Sequence, residues 1–277
     1  QEFVIKHTEK DEKIQLYQHQ KDLVNYYKNT FKNNETHGSL VLYSAPTGTG
    51  KTMTPLCLLN DYKIIFICAA RHVGLTLANY MINMGKKVGF AFGCKQVEDV
   101  RLHFNAVSDY VEVKKHGKKM KLPDHMNGEK VEIIISDIQS YYYSMLYMLS
   151  FNDAKNMILY WDEPTITLDY EEHCLHQDIS RVFTCNKIPN LILSSASLPT
   201  REKIGPVVEV FRNKFKTMVI DLLEIKSNMN QNSISIYDDC GNIMMPHLLW
   251  FGVKDESTLQ NCITHFQERE ELQNFLA

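Results

Sequence analysis

Apolar residues along the chain gather in seven short runs, at residues 40–43, 64–68, 88–92, 131–135, 157–161, 191–193 and 218–220. None alternates apolar with polar, so each predicts a strand buried on both faces, the habit of a parallel sheet covered by helices. Segments with helical spacing lie between them, notably 73–84 and 138–149. Strand and helix alternate in this way from residue 40 to residue 220, which predicts an open α/β sheet with helices on both faces.

The two ends read differently. Residues 9–31 are charged and amphipathic, with Ile14, Leu16, Tyr17, Leu23, Val24, Tyr26 and Tyr27 as the apolar or aromatic positions. They predict a helix, followed by a polar loop at 32–38. Beyond Asp221 the pattern breaks into a strand at 233–237, a turn at 238–242, an apolar stretch at 248–253 and a closing helix at 257–275. The division expected is an α/β domain over 1–222 and, over 223–277, an extension or the start of a second domain.

Composition narrows the class. With 44% hydrophobic and 23% charged residues the chain is ordinary globular protein, which excludes collagen-like and disordered classes. A formal charge of −3 makes no global claim on a polyanion, so any nucleic-acid surface must be local. The seven cysteines are scattered without a C-x-x-C pair, which predicts a reducing compartment, cytoplasmic or nuclear, in place of a disulfide framework. No apolar run approaches the ~20 residues of a membrane span, and no membrane partner is expected. The start, Gln1-Glu2-Phe3, lacks an initiator Met and suggests a trimmed piece of a longer protein. Abundant Asn, Lys, Ile and Tyr match an AT-rich genome, such as that of a large DNA virus.

Two segments carry the chemistry. Ala45-Pro46-Thr47-Gly48-Thr49-Gly50-Lys51-Thr52 follows the first apolar run and opens a predicted helix, the context of a phosphate-binding loop. Gly48 and Gly50 let the backbone turn so that successive N–H groups face phosphate oxygens. Lys51 then reaches the terminal phosphates of ATP, and the Thr52 hydroxyl ligates Mg2+. The run 157–161 ends in Asp162-Glu163, with Asp162 placed 162 − 51 = 111 positions after the lysine. Alternate pointing at a strand end gives the two carboxylates different tasks. Asp162 is expected to hold Mg2+ and Glu163 to orient and deprotonate an attacking water.

These residues resemble the first RecA-like motor domain of superfamily 2 helicases and translocases, the DExx-box proteins. Residues 45–52 match that group's A-x-T-G-x-G-K-T loop at every fixed position. Asp162-Glu163-Pro164-Thr165 matches the DExx box in its first two residues and departs in the last two, which leaves the subgroup, and RNA versus DNA, open. Ser195-Ala196-Ser197 resembles the S-A-T motif, which implies that Ser195 and Ser197 link ATP state to nucleic-acid grip. Leu16-Tyr17-Gln18-His19-Gln20 resembles the adenine-recognition segment, with Gln20 lying 51 − 20 = 31 positions before the lysine. Cys68-Ala69-Ala70-Arg71 and Ser136-Asp137-Ile138-Gln139-Ser140 resemble strand-end loops that hold a sugar-phosphate backbone, implicating Arg71, Ser136 and Gln139 in nucleic-acid binding.

The resemblance covers roughly residues 14–222 and implies nucleic acid and a second RecA-like domain as partners. Nothing after Ser197 resembles that second domain's arginine motif, so the chain alone is expected to bind Mg-ATP and to turn it over slowly. A non-helicase P-loop ATPase or nucleotide kinase would share the phosphate loop but has no use for Gln20 or Ser195-Ala196-Ser197. A non-catalytic helicase-like interaction module would not need the intact loop and acidic pair.

Three further segments admit bland readings. Lys114-Lys115-His116-Gly117-Lys118-Lys119-Met120-Lys121 suits either phosphates or a solvated loop tip. His173, Cys174, His176 and Cys185 are zinc-donor types without a second close pair. Tyr141-Tyr142-Tyr143 suits base stacking or, on a helix, the core.

Overall fold

The computed structural model describes residues 16–30, 37–115, 118–167, 170–227, 236–237, 240 and 243–245. Ten strands and six α-helices follow in chain order within the first compact unit, Gln1–Met229. They are α1 (Gln18–Thr30), β1 (His37–Ser44), α2 (Pro55–Leu58), β2 (Lys63–Ile67), α3 (Arg71–Asn83), β3 (Val88–Ala91), β4 (Arg101–Leu102) and β5 (Tyr110–Lys115). After these come β6 (Lys118–Pro123), β7 (Ile133–Ser136), α4 (Tyr141–Leu149), β8 (Met157–Asp162), α5 (His176–Cys185), β9 (Asn190–Ser195), α6 (Gly205–Lys214) and β10 (Val219–Lys226).

Eight strands form one sheet in the order β10-β1-β9-β8-β2-β7-β3-β4, parallel throughout except for β4, which runs antiparallel beside β3. Each apolar run expected to be a strand lies in this sheet. For the inner strands the reason is burial on both faces: along β1, Leu40 and Leu42 enter one core while Val41 and Tyr43 enter the other, whereas the run 218–220 departs from the expectation, with Val219 of β10 exposed. The helices supply the covers. Leu23, Val24 and Tyr27 of α1, Leu56 of α2 and Leu77 of α3 close one face. Tyr141 and Met145 of α4, Val182 of α5 and Phe211 of α6 close the other. The result is the open, mostly parallel α/β sheet with helices on both faces that the sequence pattern predicts. No helix among the described residues is long and apolar enough to cross a membrane.

The structure departs from expectation at several boundaries. The helix expected directly after the phosphate loop is a 3-10 turn, Lys51–Met53, followed by the four residues of α2. Pro55 sits at that break, where it has no N–H to continue the ladder. The helix expected from residue 138 starts at Tyr141, since the Asp137 carboxylate takes the Ser140 N–H at 2.7 Å and closes a turn first. β10 runs to Lys226, well past the apolar run 218–220, because parallel pairing with β1 extends it. The two-residue β4 has no counterpart in the hydrophobic pattern. The lysine-rich segment, read as a loop tip or phosphate patch, lies instead in the antiparallel ribbon β5–β6.

The second unit, Asn230–Ala277, is described only in part. There Ile236–Tyr237 and Ile243–Met245 pair antiparallel on either side of the expected turn. The stretch expected at 248–253 and the helix expected at 257–275 lie outside the described residues.

Candidate nucleotide site

Parallel strands deliver their following loops to one edge of the sheet, and β1, β2, β8 and β9 all end there. The loop after β1 turns on Gly48 (φ 82°) and Gly50 (φ 76°), a backbone region that side chains oppose. The main-chain N–H groups of Gly48, Gly50 and Thr52 donate to nothing among the described residues. Unpaired donors converging on one turn form a cradle for an anion. Lys51 is 7% exposed, and its ammonium donates to the Ala45 carbonyl and, at 3.1 Å, to that of Pro46. Burial pulls its pKa down, while Glu163 and Asp162 draw it back up. Thr49 donates its hydroxyl to Pro46 O at 2.7 Å and locks the turn, whereas Thr47 stands at its exposed crest.

The acidic pair faces this loop. Thr52 Oγ1 donates to Asp162 Oδ2 at 3.2 Å, and Ser194 Oγ donates to Oδ1 at 3.3 Å. Asp162 is nevertheless 6% exposed, and burial first, then repulsion from Glu163, pushes its pKa up to about 6. A buried carboxylate with so little cationic compensation, touching a threonine hydroxyl, suits a hard divalent cation bound through oxygen. Glu163 does not share these partners. Its backbone sits at φ 53°, its N–H donates to Ser194 O at 2.7 Å, and its carboxylate accepts from Ser195 Oγ at 2.6 Å. Holding a glutamate in the left-handed region costs of order 1–3 kcal/mol, and here the carboxylate of that residue is held by Ser195. The pair borders a cleft of about 400 Å³ walled by Ala69, Ala70, Val73, Thr165 and Ile166.

Three residues outside the sequence motifs tie the site together. The Tyr160 hydroxyl is fully buried, donates to Lys51 O at 2.7 Å and lies 3.1 Å from Ser194 Oγ. Ser194 thus stands between Tyr160 and Asp162. Thr54 donates to Gly50 O at 3.3 Å and lies 3.2 Å from the Tyr43 hydroxyl. The one signal for Tyr160 and Ser194 was a hydroxyl inside an otherwise apolar strand.

The remaining sequence candidates divide. Gln20 packs behind the loop, 5% exposed: Nε2 donates to Gly50 O at 2.9 Å and Oε1 accepts from Tyr17 N at 3.0 Å. Its amide is spent on protein groups. Ser195 contacts Glu163, and Ser197 donates its N–H to Ser195 Oγ at 3.2 Å, so this segment touches the acidic pair directly. Arg71 opens α3 with its guanidinium 4.9 Å over the Phe92 ring. Gln139 is exposed, whereas Ser136 is fully buried and donates to Asp137 O at 2.8 Å. A hydroxyl enclosed in this way is not offered to a nucleic-acid backbone. Among the described residues no three His, Cys, Asp or Glu side chains gather as metal ligands, and His173 and His176 spend ring nitrogens on the Leu175 N–H and Thr167 carbonyl. Tyr141 is core, donating to Asn186 Oδ1 at 2.8 Å, and the Arg181 guanidinium stacks on Tyr142 at 4.5 Å.

No protein-family model and no curated protein matches this sequence. Among solved structures it is similar to a DEAD box protein from Methanococcus jannaschii, with 16% identity over 80% of this chain and 53% of that one, at a TM-score of 0.45. It is similar also to a hypothetical ATP-dependent RNA helicase from Sulfolobus tokodaii, with 16% identity over 75% and 57% of the two chains, at a TM-score of 0.40. A third is the DEAD-box helicase Mss116 bound to ssRNA and UDP-BeF, with 16% identity, coverage of 78% and 41%, and a TM-score of 0.46. The chain spans about half the length of the first two of these solved chains.

Proposed function

We propose that this chain is the ATP-binding domain of a superfamily 2 nucleic-acid helicase or translocase, acting with a second RecA-like domain. The observation that carries the reading is the meeting of Thr52 and Asp162 at 3.2 Å beside a turn with unpaired N–H groups. A phosphate cradle and a cation anchor, 162 − 52 = 110 residues apart in sequence, share one point in space.

In this reading the N–H groups of residues 48–52 hold the phosphates, and Lys51 leaves the Ala45 and Pro46 carbonyls to neutralise them. Thr52 and Asp162 are the residues that would hold Mg2+, which when bound offsets charge on the phosphate oxygens. Glu163 accepts a proton from the attacking water, and the Ser195 hydroxyl keeps its carboxylate in place. Gln20 braces the loop from behind through Gly50, and adenine contact by its amide requires exchange of one of these bonds. Arg71 and Gln139, exposed beside the same sheet edge, are the proposed nucleic-acid contacts.

Titration with Mg-ATP by calorimetry tests the reading. Lys51→Ala should abolish binding, and Glu163→Gln should retain it while stopping hydrolysis in the intact enzyme. Retained turnover in either variant would remove these roles. Nucleic-acid stimulation of the intact enzyme separates the motor from a nucleotide kinase.

A further inference from the structure

The ribbon β5–β6 takes no part in the cleft. Its base is pinned where the parallel strands begin: the Asp124 N–H donates to Asp109 O at 2.8 Å, Leu102 N–H to His125 Nδ1 at 3.1 Å, and the Tyr147 hydroxyl to His125 O at 2.7 Å. The cleft opens where those strands end. Among the described side chains of the ribbon, Tyr110, Val111, Val113, Met120 and Leu122 are all exposed. More than half of the large apolar side chains exposed among the described residues fall between 104 and 126. A two-stranded hairpin is marginal by itself, and such a concentration of exposed apolar surface marks a binding site.

Register sets what each face carries. The cross-strand pairs are Val111–Leu122, Glu112–Lys121, Val113–Met120, Lys114–Lys119 and Lys115–Lys118. Successive pairs alternate between faces. One face holds both aliphatic pairs and then Lys115–Lys118; the other holds Glu112–Lys121 and then Lys114–Lys119. Five lysines stand against one glutamate in a chain whose net charge is −3, and that glutamate already pairs with Lys119 at 3.6 Å.

We infer that this ribbon is an arm for duplex DNA, seated in the major groove with lysines against the phosphates on either side and the aliphatic pairs toward thymine methyls. Lysine positions on both faces at the turn end suit a tip flanked by two phosphate walls. A lipid surface would take aliphatic positions first, and these lie behind the lysines. Binders of single strands use aromatic platforms, and the ribbon has only Tyr110, at its base. A B-form major groove, about 12 Å wide, admits a two-stranded ribbon, whereas the deep, narrow A-form groove of RNA does not. The inference rests on the motor reading only in taking nucleic acid as the partner.

The test is fluorescence anisotropy with a labelled DNA duplex across a salt series, using the full chain and a variant carrying Lys114→Gln, Lys115→Gln, Lys118→Gln, Lys119→Gln and Lys121→Gln. The variant should bind at least about tenfold more weakly at low salt, and its slope of log Kd against log salt should fall by about 3 to 4. An RNA duplex and a single strand of equal length should bind more weakly than DNA duplex. Unchanged affinity in the variant, equal binding of RNA duplex or single strand, or capture of anionic vesicles with the same lysine dependence overturns the arm. Mg-ATP binding, measured on the same samples, should be equal in both proteins and shows that the variant is folded. Its absence from the unsubstituted chain sinks the motor reading and leaves the arm standing.

Discussion

Asp162 bears an electrostatic burden set by its burial in the cleft. Its ordinary carboxyl value is 3.8 and burial lifts it to about 6. A carboxyl raised on folding binds more protons folded than unfolded between those values, so its ionised form destabilises the fold. That cost is absent below about pH 4, grows through about pH 6 and is complete above it. Asp162→Asn should therefore stabilise the ligand-free protein at pH 7.5 by on the order of 2 kcal/mol, with the gain vanishing near pH 4. Denaturant melts of both proteins across this range would check it, and a loss of stability at pH 7.5 would contradict the assignment. In the proposed role a divalent cation would compete with the same proton, so Mg2+-dependent nucleotide binding should weaken as pH falls below about 6.

At the scale of elements, β8 is more than an apolar bar. Tyr160 ties it to the phosphate loop through Lys51 O and to β9 through Ser194. Tyr160→Phe removes one of two donors to the buried Lys51 carbonyl, the other being the Thr54 N–H at 3.0 Å, and the fold should lose about 0.5–1.5 kcal/mol. Mg-ATP affinity should fall with it, while the Ser194→Ala chain keeps the Tyr160–Lys51 bond and retains more of that affinity. Equal affinities in the two variants would deny Tyr160 a positioning role. Such cross-strand bonds were not legible in the sequence, because a tyrosine in an apolar run has the same pattern as a packed one. The strands themselves were legible: runs such as Ile64-Ile65-Phe66-Ile67 have no polar position to turn toward water. The turn at 45–52 and the pair Asp162-Glu163 stood out as candidates because their residue types are adjacent in sequence, and the structure brings Thr52 to Asp162. Ser136 looked available from its place at a strand end, but whether a strand-end hydroxyl faces solvent or core depends on contacts that are remote in sequence. The ribbon was hidden for a related reason: its alternation, Val111-Glu112-Val113-Lys114, is only four residues long and runs straight into further lysines.

Strand order is the property of the whole molecule that no local pattern contained. Thr52 and Asp162 meet because β9 and β8 follow β1 in the sheet, so loops far apart in sequence leave from one edge. The same order leaves β10 at the sheet's other limit, hydrogen-bonded to β1 alone among the described residues. An eight-residue border strand with open main-chain groups is a template for self-association. Glu224 and Lys226, paired at 3.2 Å, supply charge along it. Glu224→Val combined with Lys226→Val should bring on light scattering at lower protein concentration, with only a small drop in melting temperature from loss of the Arg201 N–H bond to Glu224 at 3.1 Å. If it does, those two side chains act chiefly as guards of solubility, keeping copies of the chain from zipping together along their margins.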